Sequence, residues 1–294
     1  MLKKRLKIIG LIPAKQNSKG LKNKNIKKLN NLSLIEIAIL ASKNSKIINE
    51  TYISSDSNKI LDIGKEYKIN TIKRKKKFSN FSSTANDVIL DFINSIEEVY
   101  KDYNLVIVYL QPTSPFRNHK HIDLALKKFL KKKSRILLSL TENKNFYKSF
   151  TNNKNKISPF FPYKNVTKNR QNFKEVYSPN GAIYAFFAKE FKKKCELNFK
   201  NSGFFLMNKI ESIDIDDQED YEFAKVLSKK FIEYKKWFLK LKKVEKNYII
   251  TEHGGWESAD IMLHDLYFVV TKKKKNLFVI LKEKTLKAVA FLIC

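Results

Sequence analysis

The chain has 294 residues, 43% of them hydrophobic, and a formal charge of +30 from 59 basic and 29 acidic side chains. That is enough apolar material to bury a real core, which excludes a disordered chain and leaves room for one large or two modest domains. Cys195 and Cys294 are only two, widely separated and without metal-ligand spacing, so neither a disulfide framework nor a zinc site is indicated; no run approaches the ~18 to 20 apolar residues of a membrane span, and MLKKRLKIIGLIPAK is too interrupted for a secretory signal.

A soluble protein of the reducing cytoplasm is therefore expected. The charge does not by itself point to nucleic acid. Only five of the basic residues are arginine (Arg5, Arg74, Arg117, Arg135 and Arg170), and the abundance of lysine, asparagine and isoleucine reads as compositional drift on exposed faces. Anionic small substrates would still be favoured by such a field.

In chain order, Lys7 to Ile12 reads as a strand and Leu34 to Ser42 as a helix. Glu50 to Ser54 is again strand, Lys59 to Tyr67 helix, and Ala85 to Tyr100 a longer helix. Leu105 to Leu110, LVIVYL, is the clearest buried strand, followed by a helix over His121 to Lys131 and a strand over Arg135 to Leu140. This alternation predicts an α/β fold with a mostly parallel sheet, right-handed crossovers and ligand loops at the carboxyl ends of strands. From 141 to 176 the rhythm gives way to a polar, aromatic-spiked excursion with Pro159 and Pro162. Ala182 to Phe187 resumes strand character, and SIDIDDQEDYEFAKVLSKKF runs from a short strand into a helix beginning near Gln218. The sequence divides into a main domain over 1–232 and an extension over 233–294. Its His253, His264 and Asp265 form no convincing spacing.

Three loops stand where such a sheet binds ligands. IPAKQNSKGLKNKN, from Ile12 to Asn25, holds four lysines, one glycine and small polar residues. Lysines there can reach phosphate oxygens, while Ser18 and Gly20 let backbone N–H groups approach the same anion. The loop is neither a Walker A nor a Gly-x-Gly-x-x-Gly element. Plain solvated surface is the competing reading of a lysine-rich loop, and for Lys22 and Lys24 it is the preferred one. SSDS (Ser54 to Ser57) and QPTSPFR (Gln111 to Arg117) follow the second strand and the LVIVYL strand. Pro112 and Pro115 stiffen the latter.

These segments, with SPNGAIY (Ser178 to Tyr184) and SIDIDDQED (Ser212 to Asp220), occur in an order that resembles the acylneuraminate cytidylyltransferases, the CMP-sialic acid synthetases. The resemblance covers about residues 7 to 230. It implies a Rossmann-like nucleotidyltransferase fold and a Mg²⁺-dependent reaction in which CTP and a nine-carbon sugar acid give the CMP-sugar and pyrophosphate. Such a reaction needs positioning, cations and a metal more than covalent catalysis. Near alternatives are a CMP-Kdo-type synthetase, whose arginine-proline-glycine first loop is missing here, and a noncatalytic basic nucleotide- or RNA-binding protein of the same fold. The RNA version lacks clustered aromatic platforms.

By this resemblance, Lys19 and the backbone around Ser18 and Gly20 hold the β- and γ-phosphates, with Lys15 and Asn25 near the nucleotide. Asp214 and Asp216 match the family's metal-binding aspartates. On a strand their i, i+2 spacing would turn both carboxylates to one face and send Ile213 and Ile215 into the core. Gln111 matches a sugar contact, and Asn180, Gly181 and Tyr184 match positions near base or sugar. Arg117 matches the end of its motif, where a structural salt bridge is the competing reading. Arg74, Ser82 and Ser83 resemble the cytidine-side loop. Lys148 and Arg170 match cations that approach the sugar carboxylate, from a segment that reaches across a homodimer in relatives. Two positions depart from the pattern: Lys15 and Ser178 stand where arginine is common. A lysine at 15 keeps the charge but loses the planar two-pronged donor.

Overall fold

The computed structural model describes residues 4–18, 20–80, 82–132, 134–154 and 156–230, and beyond them the backbone of four strands. The chain forms two compact units, Met1–Ala224 and Lys225–Cys294.

The first unit is built on seven strands: β1 (Arg5–Pro13), β2 (Glu50–Ser55), β3 (Asn70–Lys73), β4 (Tyr103–Tyr109), β5 (Ile136–Glu142), β6 (Tyr177–Phe187) and β7 (Gly203–Leu206). Their spatial order is β7-β5-β6-β4-β1-β2-β3. All neighbours are parallel except β6, which runs antiparallel to both β4 and β5. Four helices pack on it: α1 (Leu34–Lys43), α2 (Asn58–Glu66), α3 (Ala85–Ile96) and α4 (His119–Lys132).

Period-two alternation in the strands sorts the core into two layers. Ile8 and Ile12 of β1 with Val106 and Val108 of β4 face α1, α2 and α4. Ile9 and Leu11 with Ile107 and Tyr109 face α3. Helices on both faces make the sheet doubly wound, as the sequence predicts.

Local chemistry sets the helix starts. Ser33 and Glu36 form a reciprocal capping box at α1, and Thr84 and Asp87 form one at α3. The helix expected to continue to Tyr100 ends at Ile96. Beyond that point Tyr100 turns its hydroxyl to Glu50, at 2.6 Å, and to Tyr52, at 2.8 Å.

Strand order reverses at β1: β2 and β3 continue on one side and β4 on the other. Chains leaving β1 and β4 therefore diverge and open a crevice at the carboxyl end of the sheet. IPAKQNSKGLKNKN leaves β1 there and QPTSPFR leaves β4.

The excursion carries a small antiparallel hairpin, Phe150–Asn153 with Lys156–Pro159, and an aromatic cluster of Phe146, Tyr147, Phe161 and Phe173. In the second unit, Tyr248–Glu252, Tyr267–Thr271, Leu277–Ile280 and Val289–Leu292 pair in chain order as an antiparallel meander. His253, His264 and Asp265 lie outside the described residues.

Candidate active site at the switch point of the sheet

The crevice between β1 and β4 has a volume of about 480 Å³. The first loop (Lys15, Ser18, Gly20, Lys24, Asn25), the segment after β3 (Arg74, Phe78, Asn80), the start of α3 (Ser83, Thr84) and the end of β4 (Tyr109, Gln111) line it, and Asp216 closes it.

The first loop is held by its own residues. Asn25 is buried and donates its side-chain amide to the Lys15 carbonyl, at 2.8 Å, so it braces the loop from beneath. Leu21, Leu29 and Leu34 pack against Ile215 and Tyr221 in a satellite core, which mounts the SIDID segment directly on the loop. The approach is close enough to need glycine: a Cβ on Gly20 would collide with the backbone carbonyl oxygen of Asp216.

Lys24 corrects the sequence reading. Instead of standing in solvent, its side chain is 11% exposed and its Nζ meets Asp216 Oδ1 at 3.0 Å. Lys22 is exposed, as expected. Lys19 lies outside the described residues.

SIDID is not a strand, contrary to its alternating pattern. The Ile215 N–H is bonded to the Thr113 carbonyl at 2.9 Å, which ties the segment to QPTSPFR. The next amides, of Asp216 and Asp217, are taken by the Asp220 carboxylate at the start of the helix over 218–230, and no sheet ladder can form. Ile215 is fully buried, whereas Ile213 is only half-buried.

Asp214 sits deeper than Asp216. Burial pushes its carboxyl up from the usual range, against a hydrogen bond from Thr113, and the Asp216 charge adds to the rise. Its Oδ1 is buried with no hydrogen-bond partner. A buried carboxylate oxygen left unpaired is costly unless something cationic completes it. Beside a second carboxylate and a cleft open to phosphate oxygens, this donor set fits a hard divalent cation of the Mg²⁺ type, which takes one or two carboxylates plus phosphates and water.

The sugar-side wall comes from β6. Its pairing with β5 breaks between Pro179 and Tyr184, and Gly181 in the bulge has φ +75°, with the Gln111 and Asp214 side chains filling the space a Cβ would take. A side chain there would be strained and would strike Gln111 Oε1. Half-buried Tyr184 has its hydroxyl pushed up by burial and by Asp214. Buried Tyr109 has its hydroxyl raised to about 12, chiefly by burial.

Asn180 is buried, with Oδ1 accepting from Ser139 Oγ (2.5 Å) and Ala182 N (3.2 Å) and Nδ2 donating to Ser212 Oγ (2.8 Å). Its amide braces three segments rather than facing the cleft. Arg117 is 1% exposed and bonds carbonyls rather than a carboxylate: its Nη1 donates to Gln111 O (3.3 Å) and Ala182 O (3.2 Å). Burial pulls its pKa down to about 10. The salt bridge considered from sequence is replaced by these two bonds.

Arg74 is also buried, with Nε on Ser54 Oγ at 3.1 Å and Nη2 on the Ser54 carbonyl at 2.6 Å. SSDS thus enters the site by anchoring an arginine. Ser82 and Ser83 both donate their hydroxyls to Asn80 Oδ1, and of the two it is Ser83 that lines the cleft. Lys148, half-buried in the excursion, is not among the lining residues, and Arg170 occupies the turn Arg170–Asn172. Sequence reading missed Phe78, Asn80, Thr84 and Tyr109. Of these only Thr84 carries a local signal, the Thr-x-x-Asp start of α3.

A doubly wound sheet whose basic first loop meets Asp216 at the switch point, with Asp214 buried beside it, is the arrangement expected of a nucleotidyltransferase. Solved structures agree on the fold. A CMP:2-keto-3-deoxy-manno-octonic acid synthetase complexed with CTP superposes with a TM-score of 0.58 at 12% identity, covering 76% of this chain and 99% of that one. A 4-diphosphocytidyl-2C-methyl-D-erythritol synthase gives 0.57 at 9%, with 76% and 100% covered. A family profile described as cytidylyltransferase matches residues 9–249, and the chain belongs to that family.

Among its relatives, the N-acylneuraminate cytidylyltransferase of Escherichia coli O18:K1:H7 is 30% identical over 228 residues, 77% of this chain and 53% of the relative. The match thus spans about half of that protein's length. The pseudaminic acid cytidylyltransferase of Campylobacter jejuni serotype O:2 is 27% identical, covering 76% of this chain and 97% of its own. The CMP-N,N'-diacetyllegionaminic acid synthase of the same organism is 28% identical, with 75% and 94% covered.

Proposed function

We propose that this enzyme transfers CMP from CTP to the anomeric hydroxyl of a nonulosonic acid of the sialic, pseudaminic or legionaminic type. The sugar hydroxyl gives up its proton to solvent as its oxygen bonds to the α-phosphorus, the bond from that phosphorus to the bridging oxygen breaks, and pyrophosphate leaves with its electron pair. The observation that carries this reading is the seating of the first loop against the SIDID segment: Gly20 in contact with the Asp216 backbone and Lys24 paired with its carboxylate, within one cleft.

Lys15 and the backbone at Ser18 and Gly20 receive the triphosphate, with Lys19 assigned to it by the resemblance alone, and Arg74 with Ser83 and Thr84 frames the cytidine. Gln111 and Tyr184 orient the sugar on the side of Gly181. Asp214 and Asp216 hold Mg²⁺, which when bound neutralises phosphate charge and lowers the barrier to in-line displacement. Binding both reactants in one crevice supplies much of the remaining acceleration by removing their freedom to misalign.

The enzyme works as a homodimer. Ile157, Phe160 and Tyr163 of the excursion are 73%, 63% and 75% exposed, an apolar surface that a second copy would cover. Lys148 and Arg170 then meet the sugar carboxylate in the partner's site. No helix among the described residues is long and apolar enough to cross a membrane, and Cys195 is a free, exposed thiol. Both fit a cytoplasmic enzyme supplied with CTP.

The test is phosphate release after pyrophosphatase treatment, with CTP and Mg²⁺ and a panel of sialic, pseudaminic, legionaminic and Kdo acids. Turnover with at least one nine-carbon acid is expected. Turnover with Kdo alone would move the substrate assignment, and none with any acid would overturn it.

A further inference from the structure

The most deeply buried charge in the first unit has no place in the chemistry above. Arg117 is the largest fully buried side chain among the described residues and has no carboxylate bonded to it. Its Nε and Nη2 are buried without hydrogen-bond partners. A desolvated, uncompensated guanidinium costs stability, so stability does not explain it.

Its two bonds lead elsewhere. Nη1 reaches the carbonyl of Gln111, the first residue of the loop after β4, and the carbonyl of Ala182, the residue after Gly181 in the β6 bulge. These two segments make the wall where Gln111 Oε1 and Asp214 Oδ2 close on Gly181. In each, the main chain is irregular. The β6 ladder lapses between Pro179 and Tyr184, and Gln111 lies beyond the end of β4, so neither carbonyl is fixed by a regular sheet ladder.

We propose that Arg117 is a positioning residue that joins the β4 loop to the β6 bulge from below and so sets the sugar-acid subsite, leaving the nucleotide subsite independent of it. The inference rests on the reading of Gln111 and Tyr184 as the sugar side. Among the described residues, the first loop, Arg74 and α3, which form the nucleotide side, make no hydrogen bond to Arg117. Loss of the join lets two walls drift while the third stays in place.

The experiment compares wild type with Arg117→Met, which keeps bulk but no donor, and Arg117→Lys, which keeps a donor for the two carbonyls. The KM of the sugar acid and of CTP are measured separately, with the melting temperature alongside. Arg117→Met should raise the sugar acid's KM about tenfold or more while the KM of CTP stays within about twofold, and Arg117→Lys should fall between it and wild type. Hydrogen exchange, which needs no turnover, should quicken in peptides spanning 111–117 and 178–184 and nowhere near 15–25. Equal changes in both KM values, no change in either, or unaltered exchange in those peptides would overturn the role. Failure of both variants to fold would also overturn it, by assigning Arg117 to the fold itself. An inactive wild type would instead strike the substrate assignment, while the exchange result would still decide the join.

Discussion

Replacing Gly20 with alanine is the smallest change that interrogates the seam between the first loop and the SIDID segment. What alanine meets there is a main-chain atom, so its effect on the seam is steric. The new Cβ would lie well inside the 3.0 Å that real Cβ atoms keep from their neighbours, and the obstacle is the main-chain carbonyl of Asp216, which cannot swing aside. Restoring ordinary contact requires the two segments to part by about 1 Å. Overpacking of this kind costs about 1 to 3 kcal/mol of stability. The same displacement moves Asp216 and the phosphate-binding backbone apart, and misplacement of that size costs about a hundredfold in rate, or about 2.7 kcal/mol. Pyrophosphate release at limiting CTP measures kcat/KM, and a thermal melt checks that the fold survives. A folded Gly20→Ala variant within about threefold of wild type would refute the shared seam.

Two further outcomes follow from single groups. Asp214→Asn should lower kcat/KM by at least about thirtyfold while leaving the melting temperature unchanged or slightly raised, because it neutralises a buried oxygen that has no partner in the folded chain; a large loss of stability with activity retained would contradict the metal assignment. Glu50 tests pH dependence. Burial alone would raise its pKa, but hydrogen bonds from Lys7 and Tyr100 outweigh it and hold the carboxyl below 4.5. Its stabilising contribution is thus present above that pH and lost as pH falls through the lowered folded value. Wild type should melt higher than Glu50→Gln near neutral pH, with the gap closing in acid; a gap constant down to pH ~3 would show that the charge is not responsible.

Much of the fold is legible in the sequence because its central strands are buried on both faces. LVIVYL and KIIGLI read as strands on their own, and their loops fall at the switch point where the cleft opens. The two strands that escape notice, β3 and β7, are the short edges of the sheet. With half-buried Thr71 and Ile72 in one and exposed Phe204 and Leu206 in the other, neither carries a clean alternation. Lys24 is misread for a different reason: its environment is made by Asp216, 192 residues away, and nothing in a local run of lysines marks the one that will be buried. The strand pattern of SIDID misleads because alternation reports burial on one side, not hydrogen bonding. Here Ile215 is buried in a satellite core while the neighbouring amides cap a helix. Asn180 likewise matches a functional motif, and only the fold reveals that Ser139 and Ser212 occupy its amide.

The seam between Asp214 and Asp216 and the first loop is tested most directly by diffraction from crystals grown with CTP and Mn²⁺ in place of Mg²⁺, recorded at the manganese edge. An anomalous peak beside Asp214 Oδ1, with the triphosphate lying between it and the Ser18–Gly20 backbone, is the predicted result. Nucleotide bound outside this crevice, or a metal held far from both aspartates, would contradict it.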